Sequence, residues 1–182
     1  MSIHTCAFTG HRPSSFSFGY DEAHPDCIRL RQRLAQEVRA LAEEGVTTFL
    51  SGMALGVDLW GAQAVLALKN ELPALRLVAA VPFRGQAGRW NAAARQQYQK
   101  ILQQCDETVC FSEHFTKACM HERNRWMVER ADVLLAVYNG CGVGGTAYTV
   151  RCALSKGKQV RLLDPETLAL QKIKSRSDGL EP

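Results

Sequence analysis

Six short apolar runs alternate along the chain with five segments in which apolar residues recur every three or four positions. A short apolar run is typical of a buried strand, and the three-to-four spacing is typical of a helix with one face on a core. Parallel strands need long crossover connections, which helices supply. The alternation therefore predicts an α/β fold, namely a Rossmann-like three-layer sandwich with a mainly parallel sheet of about six strands.

The expected elements follow directly from these patterns. The strands are expected at 5–9, 47–50, 75–81, 107–111, 133–138 and 159–163. The helices are expected at 27–44, 57–70, 91–105, 122–131 and 146–155. Residues 1–170 are expected to form a single domain, and the polar segment 171–182 is expected to be a disordered tail.

Composition narrows the class of protein. The chain is 46% hydrophobic and 22% charged, as is ordinary for a globular protein, and no apolar run approaches the ~20 residues that span a bilayer. Its start, Met-Ser-Ile-His-Thr, lacks a basic region followed by an apolar stretch, so we expect a cytoplasmic protein with no membrane partner. The net charge of +4 suits an anionic small ligand and is too weak to indicate nucleic acid.

The cysteines and histidines do not form a metal-binding pattern. The seven cysteines are odd in number, and none are paired at the two-residue spacing of a zinc or redox motif. His114 and His121 lack ligand spacing. We therefore expect reduced, mostly buried thiols, with no metal and no cofactor.

Four loops that follow strands are the candidate ligand sites, because ligands of open parallel sheets bind beyond the carboxyl ends of the strands. Their sequences are TGHRP, SGMALG, PFRGQAGRW and NGCGVGGT. Two are rich in glycine and run into a helix, whose first backbone amides can hold phosphate or carboxylate. The sequence therefore predicts one anion-binding pocket in which amides near Gly52 and Gly145 converge.

Each motif also has a purely structural interpretation, and both remain open. Gly52 and Gly56 can serve a tight turn, and the loop is no Walker motif because no Gly-Lys-Ser/Thr follows. Asp58 either favours the helix dipole or contacts the ligand. Thr146, after three glycines, can cap its helix or hold a phosphate.

The cationic and core candidates lie in the other segments. Arg12, beside a glycine turn, can pair an anion through two hydrogen bonds, whereas Arg84 and Arg89 can simply be solvated. Arg123 and Asn124 can point inward from the start of a helix. Their neighbours Trp126, Met127 and Val128 are expected in the core.

Several motifs together resemble one superfamily. SGMALGVDLWGAQ resembles the signature of the DprA/Smf DNA-processing proteins. GVGGTAYTVRCALSKGKQV resembles the helix start of the same SLOG superfamily, which also includes the Lonely Guy phosphoribohydrolases. FTGHRP, PF, RNRWMVERADVLLAVYNG and GGT are most similar to the YpsA-like branch, and the resemblance covers residues 3–164.

The resemblance implies a Rossmann-like protein that binds a nucleotide or a derivative such as an ADP-ribose- or NAD-like molecule, with a ligand sensor as the expected role. It is also compatible with a homodimer. The expected ligand-binding residues are Thr9, Gly10, His11, Arg12, Ser51, Gly52, Met53, Gly56, Asp58, Pro82, Arg84, Asn124, Gly140, Gly144, Gly145 and Thr146.

One departure from the Lonely Guy pattern bears on catalysis. Those enzymes place a glutamate three residues after the threonine, where this chain has Thr149. A threonine cannot stabilise the positive charge of a breaking glycosidic bond as a carboxylate does. Binding is therefore the leading prediction.

Two alternatives stay open beside it. The first is hydrolysis of a nucleoside monophosphate at the base-to-ribose bond, with Asp58 and Glu122 as catalytic candidates and Asp132 as a further acid. The second is DprA-like binding of single-stranded DNA, for which a basic cluster and an aromatic side chain are available. The residues concerned are Arg29, Arg31, Arg33, Arg89 and Trp90.

Overall fold

The computed structural model describes residues 3–140 and 142–173. The strands are β1 (Thr5–Gly10), β2 (Thr48–Ser51), β3 (Arg76–Val81), β4 (Glu107–Cys110), β5 (Val133–Val137), β6 (Gln159–Leu163) and β7 (Leu170–Ile173). The helices are α1 (Pro25–Glu43), α2 (Val57–Lys69), α3 (Ala92–Leu102), α4 (Lys117–Arg130) and α5 (Gly145–Ser155), with a short 3-10 helix at Pro13–Ser15.

The strands form one sheet in the order β4-β3-β2-β1-β5-β6-β7. All neighbouring pairs are parallel except β6 and β7, which are antiparallel. At the centre, Cys6 of β1 pairs in register with Phe49 on one side and Val133 on the other. The connection after β1 leads to β2 on one side of it, and the connection after the adjacent β5 leads to β6 in the opposite direction. The two loops therefore diverge at the boundary between β1 and β5.

Two apolar cores lie on opposite faces of the sheet, because successive strand residues point to opposite sides. Phe8, Phe49 and Leu77 pack against α1, α2 and α3. On the other face, Leu50 and Leu134 pack with residues of α4 and α5. The predicted three-layer α/β class with a mainly parallel sheet is therefore confirmed.

Two details of the prediction are corrected. The sheet has seven strands instead of about six, and β7 includes the first three residues of the expected tail; residues 174–182 of that tail lie outside the described residues. Helix α4 begins at Lys117 instead of 122, because the Thr116 side chain accepts a hydrogen bond from the Cys119 amide at 3.0 Å and caps it. The extent of the single domain stays a prediction.

The cysteines behave as ordinary thiols in the described part of the chain. Six of them are free there, and Cys141 lies outside the described residues. Burial raises the pKa of the Cys6 thiol to about 12. Among the helices of the described ranges, none combines the length and hydropathy needed to cross a bilayer.

An ionic network ties α1 to the last two strands. Arg161 of β6 is 3% exposed, and its Nη1 donates to Glu37 Oε2 at 3.3 Å while its Nη2 donates to Glu44. Arg33 also donates to Glu37, at 2.6 Å, and Lys172 of β7 lies 3.5 Å from Glu44. Because the network reaches β7, it helps to hold a strand with few apolar residues against the sheet.

The Arg161→Met variant tests the contribution of this network. The substitution keeps the apolar contacts but leaves Glu37 buried without one of its two cations, so we expect a loss of about 3 kcal/mol in the free energy of unfolding. Urea unfolding measures it. Arg76→Met is the matched control, because its pair with Glu107 is half exposed and should cost less than about 1 kcal/mol. Equal, small losses in both variants would contradict a structural role for Arg161.

Candidate functional site

A cleft of about 700 Å³ lies at the carboxyl ends of β1 and β5. Its walls come from the end of β1 and the loop after it, from one face of α4, and from the start of α5. It lies where the loops after β1 and β5 diverge, which is the usual ligand position in open α/β sheets.

The start of α5 forms one wall. Gly144 precedes the helix with φ 96°, a left-handed conformation that favours glycine, and no side chain of the described residues caps this end. The first amides of a helix lack partners within the helix, and its dipole favours an anion there. A Cβ added at Gly144 or Gly145 would meet no atom within 4 Å, so this wall is open to a ligand.

A buried guanidinium lies at the bottom of the cleft. Arg123 of α4 is 4% exposed, and its Nη1 donates to the Gly52 carbonyl and lies 3.7 Å from Asp58 Oδ2. Its Nε is buried and lacks a hydrogen-bond partner among the described residues. Arg123 therefore holds two elements together and retains a donor that is not yet used.

Asp58, in the first turn of α2, is the counter-charge. Its Oδ2 accepts a hydrogen bond from the Ala54 amide at 3.3 Å. Burial raises the pKa of the Asp58 carboxyl, and the nearby Arg123 and Arg12 oppose that rise. Burial lowers the pKa of Arg123, while Asp58 opposes the change. Each charge thus offsets part of the free-energy cost of burying the other.

The loop after β1 completes the cleft and is firmly anchored. Phe16 stacks on Phe18 with ring centroids 5.0 Å apart and lies 5.8 Å from Trp60 of α2. A Cβ at Gly10 would lie 2.5 Å from Val57 Cγ2, so glycine allows β1 to end directly against α2. This packing fixes the backbone at Arg12, which lines the cleft and is exposed to solvent.

The two glycines of the second loop serve close packing. A Cβ at Gly52 would overlap Arg123 Nη1 and lie 2.6 Å from Asp58 Oδ2. Gly56 has φ 90°, and a Cβ there would lie 2.9 Å from Pro13 Cδ. Both positions are filled by neighbouring groups of the chain.

Two backbone amides of this loop already have hydrogen-bond partners. The Met53 amide donates to Ser51 Oγ at 3.1 Å, and the Ala54 amide donates to Asp58. Ser51 Oγ itself donates to the Asp58 carbonyl at 2.8 Å. The expectation that open amides near Gly52 converge with those near Gly145 is therefore wrong for the Met53 and Ala54 amides, because side chains of the same loop and of α2 already bind them.

The structure brings together nine of the sixteen expected ligand-binding residues in the cleft wall. These are Thr9, Gly10, His11, Arg12, Asp58, Asn124, Gly144, Gly145 and Thr146. The other seven do not line it: Ser51, Gly52, Met53, Gly56, Pro82, Arg84 and Gly140. Of these, Pro82 is buried, Gly140 is exposed, and Arg84 pairs with Glu113 at 2.8 Å.

Two of the expected acids lie away from the cleft. Glu122 is exposed on α4 and does not line the wall. Asp132 precedes β5 and accepts hydrogen bonds from the His4 and Thr5 amides at 2.8 and 3.0 Å, at the opposite end of the sheet. Asp58 is the one of these three candidates that lines the cleft.

Sequence reasoning omitted several residues of the wall from the expected set. They are Phe8, Ser14, Ser15, Ala54, Met120, His121, Arg123, Met127, Asn139 and Val143. Helical spacing could have found part of this set, because Met120, Arg123, Asn124 and Met127 lie three or four residues apart on one face of α4. The late start assigned to α4 hid this pattern.

Comparison with known proteins gives consistent similarities. The sequence model of the YspA SLOG family matches residues 6–168. A UPF0398 protein of Bacillus pumilus is 32% identical over 148 residues, covering 80% of this chain and 78% of the relative. A UPF0398 protein of Halalkalibacterium halodurans is 30% identical over 166 residues, covering 88% and 87%.

One solved structure has a similar fold. It is that of DNA processing protein A from Helicobacter pylori, described by its single-stranded DNA binding mode. The TM-score is 0.56 at 19% identity, and the match covers 90% of this chain and 66% of that one.

The Gly52→Ala variant tests the contact between Gly52 and Arg123. The added methyl group must displace the guanidinium, so we expect a loss of about 1–3 kcal/mol in the free energy of unfolding. In an Arg123→Met background the overlap with the guanidinium is gone and only the close approach to Asp58 Oδ2 remains, so the added loss should be smaller; urea unfolding of the four proteins measures both. Gly145→Ala is the control, because its Cβ meets nothing and its stability should change by under about 0.5 kcal/mol. An equal loss in both backgrounds would show that the two residues do not interact.

Proposed function

We propose that this chain, which belongs to the YspA SLOG family, binds a nucleotide or nucleotide derivative in the cleft and acts as a ligand sensor. We place this function in the cytoplasm. The free thiols of the six described cysteines suit a reducing compartment.

One observation carries the proposal: two arginines and the uncapped start of α5 face the same cleft. Arg12 is exposed at the solvent side, and Arg123 lines the cleft with a side chain that is almost fully buried, including an Nε without a partner among the described residues. Asp58 compensates for one of the two cations, so a positive excess remains beside the amides of the helix. Guanidinium groups and helix amides are the groups that proteins use most for phosphate.

The remainder of the wall suits the rest of a nucleotide. About 700 Å³ lies within the usual range of small-molecule sites. Asn124 and Ser15 offer hydrogen bonds to sugar or base edges. Met120 and the 82% exposed Val143 offer apolar surface on which a planar base can lie.

Isothermal titration calorimetry against a ligand panel tests the proposal. The panel contains nucleoside mono-, di- and triphosphates, ADP-ribose, NAD, inorganic phosphate and a single-stranded oligonucleotide. We expect saturable binding of at least one nucleotide-type molecule. Gly145→Asp should weaken that binding at least tenfold, because it places a carboxylate where the phosphate would meet the helix start.

Gln96→Asp is the matched control for this variant. Gln96 is exposed on α3, outside the cleft, and its substitution changes the net charge equally. An equal effect of both variants would indicate only long-range charge. No binding across the panel would overturn the proposal, and a preference for the oligonucleotide would favour the DNA-binding alternative.

The basic cluster expected to serve DNA binding is largely neutralised. Arg29 pairs with Asp26, Arg31 lies 3.2 Å from Glu22, and Arg33 lies 2.6 Å from Glu37. The aromatic residue of that set, Trp90, contacts Tyr98 at 5.4 Å between ring centroids, so its face is partly used. These contacts support a small ligand over a DNA strand.

A second candidate function, cleavage of the base-to-ribose bond, is favoured by one observation. Asp58 faces the cleft, and its burial raises the pKa of the carboxyl, as suits a proton donor. The same carboxylate also binds the Ala54 amide and Arg123, and Thr149 Oγ1 is bonded to the Gly145 carbonyl at 2.8 Å. These bonds favour a structural role for Asp58.

Chromatography of nucleoside monophosphates after incubation with the protein distinguishes the two functions. A binding protein should release no free base at high protein concentration, in the wild type and in Asp58→Asn alike. Base release that is lost in Asp58→Asn, while the variant keeps its circular dichroism spectrum, would establish the hydrolase instead.

A further inference from the structure

A shallow groove runs between α1 and α2 on the outer surface of their layer. It consists of two adjoining hollows of about 400 and 340 Å³, which share Gln32, Ala35, Ala64 and Ala67. The described residues that line the groove do not line the cleft. The groove is thus a separate surface, and a role for it is independent of the proposed function.

The groove is open and partly apolar. Three of its four central residues are alanines, so another backbone can approach closely there. Ile28, at one end of the groove, is 43% exposed. Covering such apolar surface with a partner favours association.

Polar pairs cross the groove at two levels. Arg39 Nη2 of α1 lies 2.7 and 2.8 Å from the two carboxylate oxygens of Glu71, just beyond α2. Arg31 Nη2 donates to Gln63 Oε1 at 3.3 Å. From the Arg31 pair to the Arg39 pair, the position increases by eight residues in both segments, from 31 to 39 and from 63 to 71. The segments of α1 and α2 therefore run in the same direction. At both levels the α1 side supplies the cation and the α2 side the acceptor.

This pattern is self-complementary about one axis only. A twofold axis along the groove lays α1 of one copy on α2 of the other, so that each Arg39 meets the partner's Glu71 and each Arg31 meets the partner's Gln63. A twofold axis across the helices would instead place Arg31 opposite the partner's Arg39, where like charges repel. The charges therefore select the first arrangement.

We propose that the groove between α1 and α2 is a homodimer interface, in which Arg39 and Glu71 form reciprocal ion pairs between two copies. Both side chains are about half exposed in one copy, at 46% and 59%, so each can reach a second partner. The groove and the cleft share no described residue, so the interface uses none of the cleft's lining.

Sedimentation velocity over a concentration series tests the interface. The wild type should sediment as a dimer, and the single variants Arg39→Glu and Glu71→Arg should each raise the dissociation constant at least tenfold, because each places like charges across the axis. The double variant Arg39→Glu/Glu71→Arg restores opposite charges and should restore the dimer. Raised salt should weaken the wild-type dimer.

Two further variants keep the test decisive. Arg76→Glu breaks an equally exposed ion pair outside the groove and should leave the dimer unchanged. Ala64→Trp fills the groove without changing charge and should give a monomer even if a charge variant fails to fold. A wild type that stays monomeric at every concentration, or single variants that dimerise as the wild type does, would overturn the proposal.

Discussion

The buried ion pair between Arg123 and Asp58 is the contact on which the shape of the site depends. Arg123 belongs to α4 on one face of the sheet, and Asp58 belongs to α2 on the other face. The guanidinium reaches over the carboxyl end of β2, where the Gly52 carbonyl accepts its hydrogen bond. The pair therefore joins the two helical layers at the carboxyl end of β2, an interior strand of the sheet. A larger residue than glycine at position 52 would occupy the place of the cation.

Hydrogen-bond donors lie on two sides of the cleft. On one side, the helix start at Gly144 and Gly145 presents backbone amides that no described side chain caps. On the other, a compensated cation keeps a buried Nε without a partner among the described residues. An unpaired buried donor costs free energy until something binds it. The buried Nε therefore makes the Arg123 side chain a costly part of the folded state.

Local patterns predicted most of the fold, since hydrophobic period and glycine turns are properties of neighbouring residues. The same patterns located the α5 turn, in which Gly140 and Gly144 have left-handed backbone conformations. They failed at Gly52, because the atom that demands glycine there belongs to Arg123, 71 positions away. They also failed at β7, where two half-buried apolar residues flank two exposed polar ones. This strand forms through its antiparallel pairing with β6, which a local pattern does not reveal.

The two outermost strands limit contacts between sheets of different molecules. A sheet ends in rows of unpaired backbone groups, which can recruit a strand from another molecule and start aggregation. Here β4 and β7 are each only four residues long, and they carry Glu107 and Lys172. Short, charged borders make a poor template for a foreign strand, so they disfavour growth of the central sheet from one molecule to the next.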